Sequence, residues 1–286
     1  MKSIAEFAMR GRLQALIVAV PGAGTEVFFW LSGAVIALVT LRMGLQQGFY
    51  ILLWALLPAL VLAWIKFPAA LVCLIASFVM AAVLRSTAQW GTALLAGTAT
   101  CLLFAVGLQF GFTEYLSDIL GMIKSVFEQV MANSPDQNAE AEAEKILAAI
   151  GTSDLAGIFA AGAGMFATLA VVLGRHWQAQ LYNPGGFGEE FRAIRLRMPV
   201  AIGLVLFAAL LFSVPEYRLW TWICLLPLLV SGIGLVHWVV RESGGSKGLL
   251  IAFYFLLLVF APANQLVCAL AVVDSMVNIR RLRDRR

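Results

Sequence analysis

Arg175-His176-Trp177, then Tyr182-Asn183-Pro184-Gly185-Gly186-Phe187, then Glu189-Glu190-Phe191-Arg192, form a polar, turn-rich island in a chain that is otherwise mostly apolar. The run 155–174 precedes it and the run 199–214 comes after it, and neither contains a charged side chain. Two such runs joined by a basic loop read as membrane segments connected outside the bilayer. Asn183-Pro184-Gly185-Gly186 is a rigid turn by its residue types. It is expected to feed an amphipathic interfacial helix from Glu189 to Arg197. The two glutamates at that helix start complement its dipole and would repel a phosphate.

Composition extends this reading to the whole chain. Hydrophobic residues make up 62% and charged residues 13%, against about 25% charged in soluble proteins. The mean hydropathy is +0.91. A soluble core of this length does not absorb that much apolar surface, so the expected fold is an all-α, polytopic helical membrane bundle. Apolar runs fall near 13–22, 27–41, 48–65, 68–84, 90–109, 155–174, 199–214, 219–240, 248–262 and 264–279, giving about 8–10 membrane segments. Several are shorter than the ~20 residues a perpendicular helix needs, and 13–22 is the weakest. The N-terminal Lys2, Arg10 and Arg12 ahead of an apolar run have the outline of a signal peptide. The run continues through Ala23-Gly24-Thr25-Glu26 into another apolar segment, so the region is expected to be retained. We expect one integral membrane domain over 1–286, with a first half-bundle (1–110), an exterior amphipathic loop (111–154) and a second half-bundle (155–286).

Charge sets the expected orientation. Loop 110–154 carries Glu114, Asp118, Glu128, Asp136, Glu140, Glu142, Glu144 and Asp154 against Lys124 and Lys145. Loop 175–198 carries Arg175, Arg192, Arg195 and Arg197, and five of the twenty basic residues lie in the last seven positions. The positive-inside rule places both basic segments in the cytoplasm. Alternation then puts 110–154 outside, and Arg42, Arg85, Arg241 and Lys247 inside. The N-terminus is also inside if 13–22 and 27–41 form a tight hairpin. The basic tail reads as a membrane flank rather than a nucleic-acid surface.

Within the exterior loop, Tyr115, Leu116, Ile119, Leu120, Met122, Ile123, Val126, Phe127, Val130 and Met131 recur at helical spacing. Polar residues fill the other face, a pattern suited to lying flat on a bilayer or on the mouth of the bundle. Asn133-Ser134-Pro135-Asp136 is expected to stop this helix. A second helix should run from Ala139 to Ile150, with Thr152 or Ser153 capping the next span. That span is rich in small residues. Gly157/Ala161 and Ala160/Gly164 allow close helix approach in lipid, as does Ala15/Ala19 in the first segment. Internal packing and contact with a partner subunit both fit this spacing.

Few polar residues sit where chemistry would need them. Glu26 lies in the Pro21–Glu26 break, and Asn264 and Gln265 come just after Pro262, all expected near the outer surface. Trp30, Trp64 and Trp220 sit at outer span ends, with Lys66 beside them. Glu26, Trp30, Trp64, Asn264 and Gln265 are the candidate ligand-binding set. The competing reading is an interfacial tryptophan belt with a solvated Glu26. Asp274 is the one acid well inside the last span, and it either pairs with a cation on a neighbouring helix or reaches the headgroups. His237 reads as a satisfied structural histidine. Cys73, Cys101, Cys224 and Cys268 lie singly in apolar runs, which implies neither a disulfide framework nor a metal site. The sequence offers no catalytic constellation, no phosphate loop and no cofactor motif.

At Arg175-His176-Trp177, Leu181-Tyr182-Asn183-Pro184-Gly185-Gly186-Phe187 and Glu190-Phe191-Arg192, the chain resembles the YybS-like family of predicted bacterial membrane proteins, whose function is unknown. The multispan pattern extends the likeness over nearly the whole chain. The resemblance implies a fold distantly similar to the substrate-binding S components of energy-coupling-factor transporters and to the cell-shape protein MreD. Ala15-x-x-x-Ala19 is similar to the motif by which S components dock on their membrane partner. The resemblance further implies a multi-pass protein of the bacterial inner membrane, and the charge distribution places both termini in the cytoplasm. Its expected role is a non-enzymatic, S-component-like subunit that binds or transports a small ligand, alongside another membrane subunit or an ATPase module. The alternative is a scaffold of MreD type that recruits partners through Arg192, Arg195 and Arg197.

Overall fold

A computed structural model describes residues 2–65, 67–131 and 149–283. Lys66, the stop expected at 133–136 and most of the helix expected over 139–150 lie outside the described residues. Within them the chain is helical throughout, in chain order α1 Lys2–Ala8, α2 Arg12–Ala23, α3 Phe29–Met43, α4 Leu45–Trp64, α5 Ala69–Thr87, α6 Trp90–Gly111, α7 Thr113–Met131 and α8 Thr152–Tyr182. The second half continues with α9 Gly186–Arg192, α10 Met198–Ser213, a 3-10 turn Pro215–Trp220, α11 Thr221–Glu242, α12 Lys247–Val259, α13 Ala261–Val277 and α14 Ile279–Arg283.

Among the described residues, five helices are long and apolar enough to cross a membrane: α4, α5, α6, α8, and α11 together with the turn that leads into it. The pair α12 and α13 passes the same test together but is bent by 115° at Phe260, and α2, α3 and α10 are shorter apolar helices. The chain is a polytopic helical membrane bundle. Each of the ten apolar runs read from the sequence has become a helix. Their lengths divide them into full spans and shorter pieces packed among them.

The centre of the bundle is α3, α5 and α8, whose contact faces are built from small residues. A Cβ on Gly174 would stand 2.8 Å from the Ala34 carbonyl oxygen, and one on Gly33 would stand 3.0 Å from the Ala170 Cβ. Small side chains let helix backbones approach to the distance at which van der Waals packing holds them together in lipid. Gly157 is a second such position: its missing side chain is replaced by the indole of Trp220, 2.6 Å from where a Cβ would sit. The small-residue stripe of α8 therefore serves internal packing. Ala15 and Ala19 do the same. Both are fully buried on the face of α2 turned to α3 and α4, so this chain's own helices cover the expected partner-docking face.

Three local expectations change. The span expected over 155–174 continues as helix to Tyr182, giving α8 a length of about 46 Å. Polarity ends a membrane span, but it does not end a helix. No turn residue occurs before Asn183, and Gly185, at a φ of 93°, supplies the left-handed backbone of the actual break. The interfacial helix starts at Gly186 and stops at Arg192 rather than running from Glu189 to Arg197. Residues 194–197 leave helical geometry, bury Ile194 and Leu196, and lead into Pro199 in the first turn of α10. The N-cap of α8 is Gly151, whose N–H is accepted by Oδ2 of Asp154 in the first turn at 2.9 Å, and neither Thr152 nor Ser153 takes the capping role.

Helix α7 begins at Thr113, where the sequence pattern placed it, and it docks by its first half. Leu116 and Ile119 are buried, while Met122, Ile123, Val126 and Val130 are exposed. Tyr115 fastens the docked half by donating its hydroxyl to the Ala63 carbonyl at 2.8 Å.

Candidate functional site

The basic span ends collect at one end of the bundle, and there the block around Arg175 folds onto distant helices. Arg175, in the last turns of α8, pairs with Glu190 of α9 through Nε (3.1 and 3.0 Å) and Nη2 (2.7 Å). The same carboxylate accepts the Trp90 indole N–H at 2.7 Å. A bidentate guanidinium–carboxylate pair with a third donor is fully directional. Gln178 accepts from Arg175 and reaches the Leu41 carbonyl at 3.4 Å. Arg85, in the last turn of α5, donates to the carbonyls of Thr40 and Leu41 at the end of α3, where a cation complements the helix dipole. Arg42 stacks over the Tyr182 ring at 3.9 Å.

A second cluster ties the end of α13 to the linker after α9. Asp274 is 1% exposed, with Arg280 at 3.5 Å and Arg195 at 3.8 Å from its Oδ2. Its Oδ1 accepts the Ile279 N–H at 3.0 Å, and Arg280 also donates to the Ile194 carbonyl at 2.8 Å. Arg195 donates to the carbonyls of Asp274 and Ser275, which closes the C-terminal end of α13. Asp274 thus finds cations both across the bundle and in its own tail. Arg195 is engaged inside the protein, whereas Arg197 is exposed and Arg192 half-buried. Of the three arginines expected to face a partner, Arg195 is therefore withdrawn.

Between these clusters runs a chain of rings that the sequence did not reveal. His176 meets Phe187 (5.3 Å), Phe187 meets Phe191 (5.7 Å), Phe191 meets His237 (5.4 Å) and His237 meets Tyr254 (5.8 Å). His237 also hydrogen-bonds the Tyr254 hydroxyl at 2.7 Å, so it is a structural tie between α11 and α12. Only the Phe187/Phe191 pair, four apart on one helix, was readable from spacing.

At the opposite end the five candidate ligand residues do not converge. Glu26 is exposed beside a turn that Thr25 holds through the Gly22 carbonyl and the Phe28 N–H. Trp30 is half-buried against the core. Asn264 donates to the Leu257 carbonyl at 3.1 Å, satisfying one of the orphan carbonyls at the end of α12. It also borders a 280 Å3 cavity with Met165, Trp222 and Cys268. Gln265 is exposed. Trp220 is buried, its indole donating to the Ser153 carbonyl at 2.9 Å.

Trp64 does border a cavity, a different one. That space of 560 Å3 lies among α4, α5, α6 and the start of α7, walled by Leu71, Phe104, Leu108, Phe112 and Tyr115. Trp64 is 85% exposed and Phe112 61% exposed at its mouth. The Tyr115 hydroxyl and the Ala63 carbonyl give it a polar edge. Burial pushes the Tyr115 hydroxyl up to about 12. An apolar and aromatic cavity of this size with a sparse polar edge has the make-up of a small-molecule site. Among the described residues, no three His, Cys, Asp or Glu side chains stand where they could hold a metal ion.

One family of predicted membrane proteins, DUF2232, matches residues 12–275. The chain belongs to this family. The match covers every apolar helix from α2 to most of α13, so family membership and the helical bundle describe the same stretch of chain. No curated protein and no solved structure matches. The family's function is unknown.

Proposed function

We propose that this chain is a non-enzymatic, multi-pass subunit of the bacterial inner membrane that binds a small apolar ligand from the outer side. In this reading it resembles the S components of energy-coupling-factor transporters and works beside another membrane subunit or an ATPase module. Both termini and the Arg175–Arg197 block lie in the cytoplasm, and the α7 end faces out. The orientation rests on the positive-inside rule, and the comparison with YybS-like proteins and S components rests on the sequence resemblance at Arg175–Arg192 and on analogy of fold.

The observation that carries the proposal is the cavity walled by Trp64, Leu71, Phe104, Leu108, Phe112 and Tyr115. It sits at the end assigned to the outside, beneath a helix docked by half its length. The ligand it suits is apolar or aromatic with a single hydrogen-bonding group, because its polar edge is so small. The MreD-like scaffold reading has less support, since Arg195 is engaged internally; the burial of Ala15 and Ala19 means that a partner subunit would dock elsewhere than on that face of α2.

A ligand screen on purified protein, read as thermal stabilisation, tests this. An apolar compound that stabilises the wild type should not stabilise Leu71→Trp, which fills the cavity. It should still stabilise Glu26→Ala and Asn264→Ala, which lie outside it. Equal stabilisation of Leu71→Trp would place binding elsewhere and sink the proposal.

A further inference from the structure

The basic end of the bundle holds two adjoining cavities, of 450 and 500 Å3, that share Ala88 and Glu190 as a common wall. We propose that this double cleft binds the phosphate group of an anionic ligand, with the guanidinium groups of Arg85 and Arg197 as its charge partners. This site lies at the opposite end from the apolar cavity and does not depend on it.

The charge balance carries the argument. Among the described residues, four arginines (Arg85, Arg175, Arg195 and Arg197) line the cleft against one carboxylate, Glu190. Glu190 is already held by Arg175 and the Trp90 indole, so that pair adds no net charge. Arg195 is engaged by Asp274 and two carbonyls. Arg85 donates only to the Thr40 and Leu41 carbonyls, and Arg197 is exposed. Neither has a carboxylate partner among the described residues. Two positive charges without a carboxylate partner therefore border the double cleft, Arg197 in the first cavity and Arg85 in the second.

The remaining lining suits a phosphate with an apolar attachment. Trp90 to Thr92 begin α6 at the rim, and Val200 lies in the first turn of α10. Neither helix has an acidic residue in its first turn or a side-chain cap, so backbone N–H groups add to what the arginines offer. Leu84, Leu95, Leu196 and Val200 supply an apolar flank. Basic pockets between helices at a membrane surface hold lipid headgroups by this combination. A soluble phosphate ester presents the same group.

The test uses the full chain in nanodiscs of phosphatidylcholine, alone or mixed with phosphatidylglycerol, with thermal unfolding as the readout. Separate samples in phosphatidylcholine receive inorganic phosphate or glycerol phosphate. Stabilisation by phosphatidylglycerol alone assigns a lipid headgroup, and stabilisation by the soluble phosphates assigns a soluble ester. Either supports the site if Arg85→Gln with Arg197→Gln weakens the effect by about tenfold or more. If that double variant does not fold, Arg197→Gln, an exposed change, carries the test alone. The control Arg241→Gln with Lys247→Gln removes the same charge away from the cleft and should keep the full effect. No stabilisation by any phosphate, or an equal loss in the control pair, overturns the proposal.

Discussion

Arg195 and Asp274, 79 residues apart in the chain, meet twice: guanidinium against carboxylate at 3.8 Å, and Nε against the Asp274 carbonyl oxygen at 2.9 Å. The link joins the linker after α9 to the end of α13, so the last helical hairpin is anchored through one arginine. Arg280 completes the cluster from the other side.

Removing the carboxylate leaves two largely buried guanidinium groups facing each other. Asp274→Asn should therefore destabilise the protein by about 3–5 kcal/mol. Asp274→Leu combined with Arg195→Met and Arg280→Met should recover most of that loss, because it removes the charges together. Thermal unfolding of both variants in detergent checks this. A triple variant no more stable than Asp274→Asn would show that the cluster acts by more than charge balance.

At the other polar cluster, Trp90→Phe removes one donor from Glu190 and leaves the Arg175 pair intact. The expected cost is about 1.5–3 kcal/mol, that of a hydrogen bond to a charged group. A variant as stable as the wild type would mean that the indole contributes nothing beyond its packing.

Two glycines of α8 should respond in opposite directions. Gly174→Val would drive a side chain into the Ala34 carbonyl and the Ala37 Cβ, costing about 1–3 kcal/mol as overpacking does. At Gly162 a Cβ meets nothing within 4 Å, so Gly162→Ala should stabilise by about 0.5–1 kcal/mol through backbone entropy. Matching effects at the two sites would contradict the close α3–α8 contact.

Tyr115 offers a titration. Its hydroxyl ionises near pH 12 in the folded protein because burial disfavours the phenolate, against about 10 for an unfolded tyrosine. The folded state then holds its proton where the unfolded state has lost it. This contribution is fully present below about pH 10 and is lost as pH rises from there through about 12. Tyr115→Phe should remove that part of the alkaline stability loss. Overlapping alkaline profiles for variant and wild type would contradict the burial.

Much of the fold was legible because bilayer thickness and helical period act on local sequence. The apolar runs became helices, and α7 begins at Thr113, where its amphipathic stripe begins. What the sequence hid depends on distant partners. Nothing near Gly157 indicates that Trp220, 63 residues on, fills its place, and nothing near Glu190 points to Trp90, 100 residues back. The extension of α8 to Tyr182 was hidden because hydropathy marks the end of a span, whereas Asn183 and Gly185 end the helix. The candidate ligand residues have only depth in common. Depth does not bring Glu26, Trp64 and Asn264 to one cavity, and the aromatic wall around Trp64 formed only when α4 to α7 came together.

The central claim, a small-ligand site between Trp64 and Tyr115, is tested most directly by native mass spectrometry of protein extracted gently from its membrane. The prediction is a small-molecule adduct retained by the wild type and absent from Leu71→Trp. No adduct on the wild type, or the same adduct on both proteins, would contradict it.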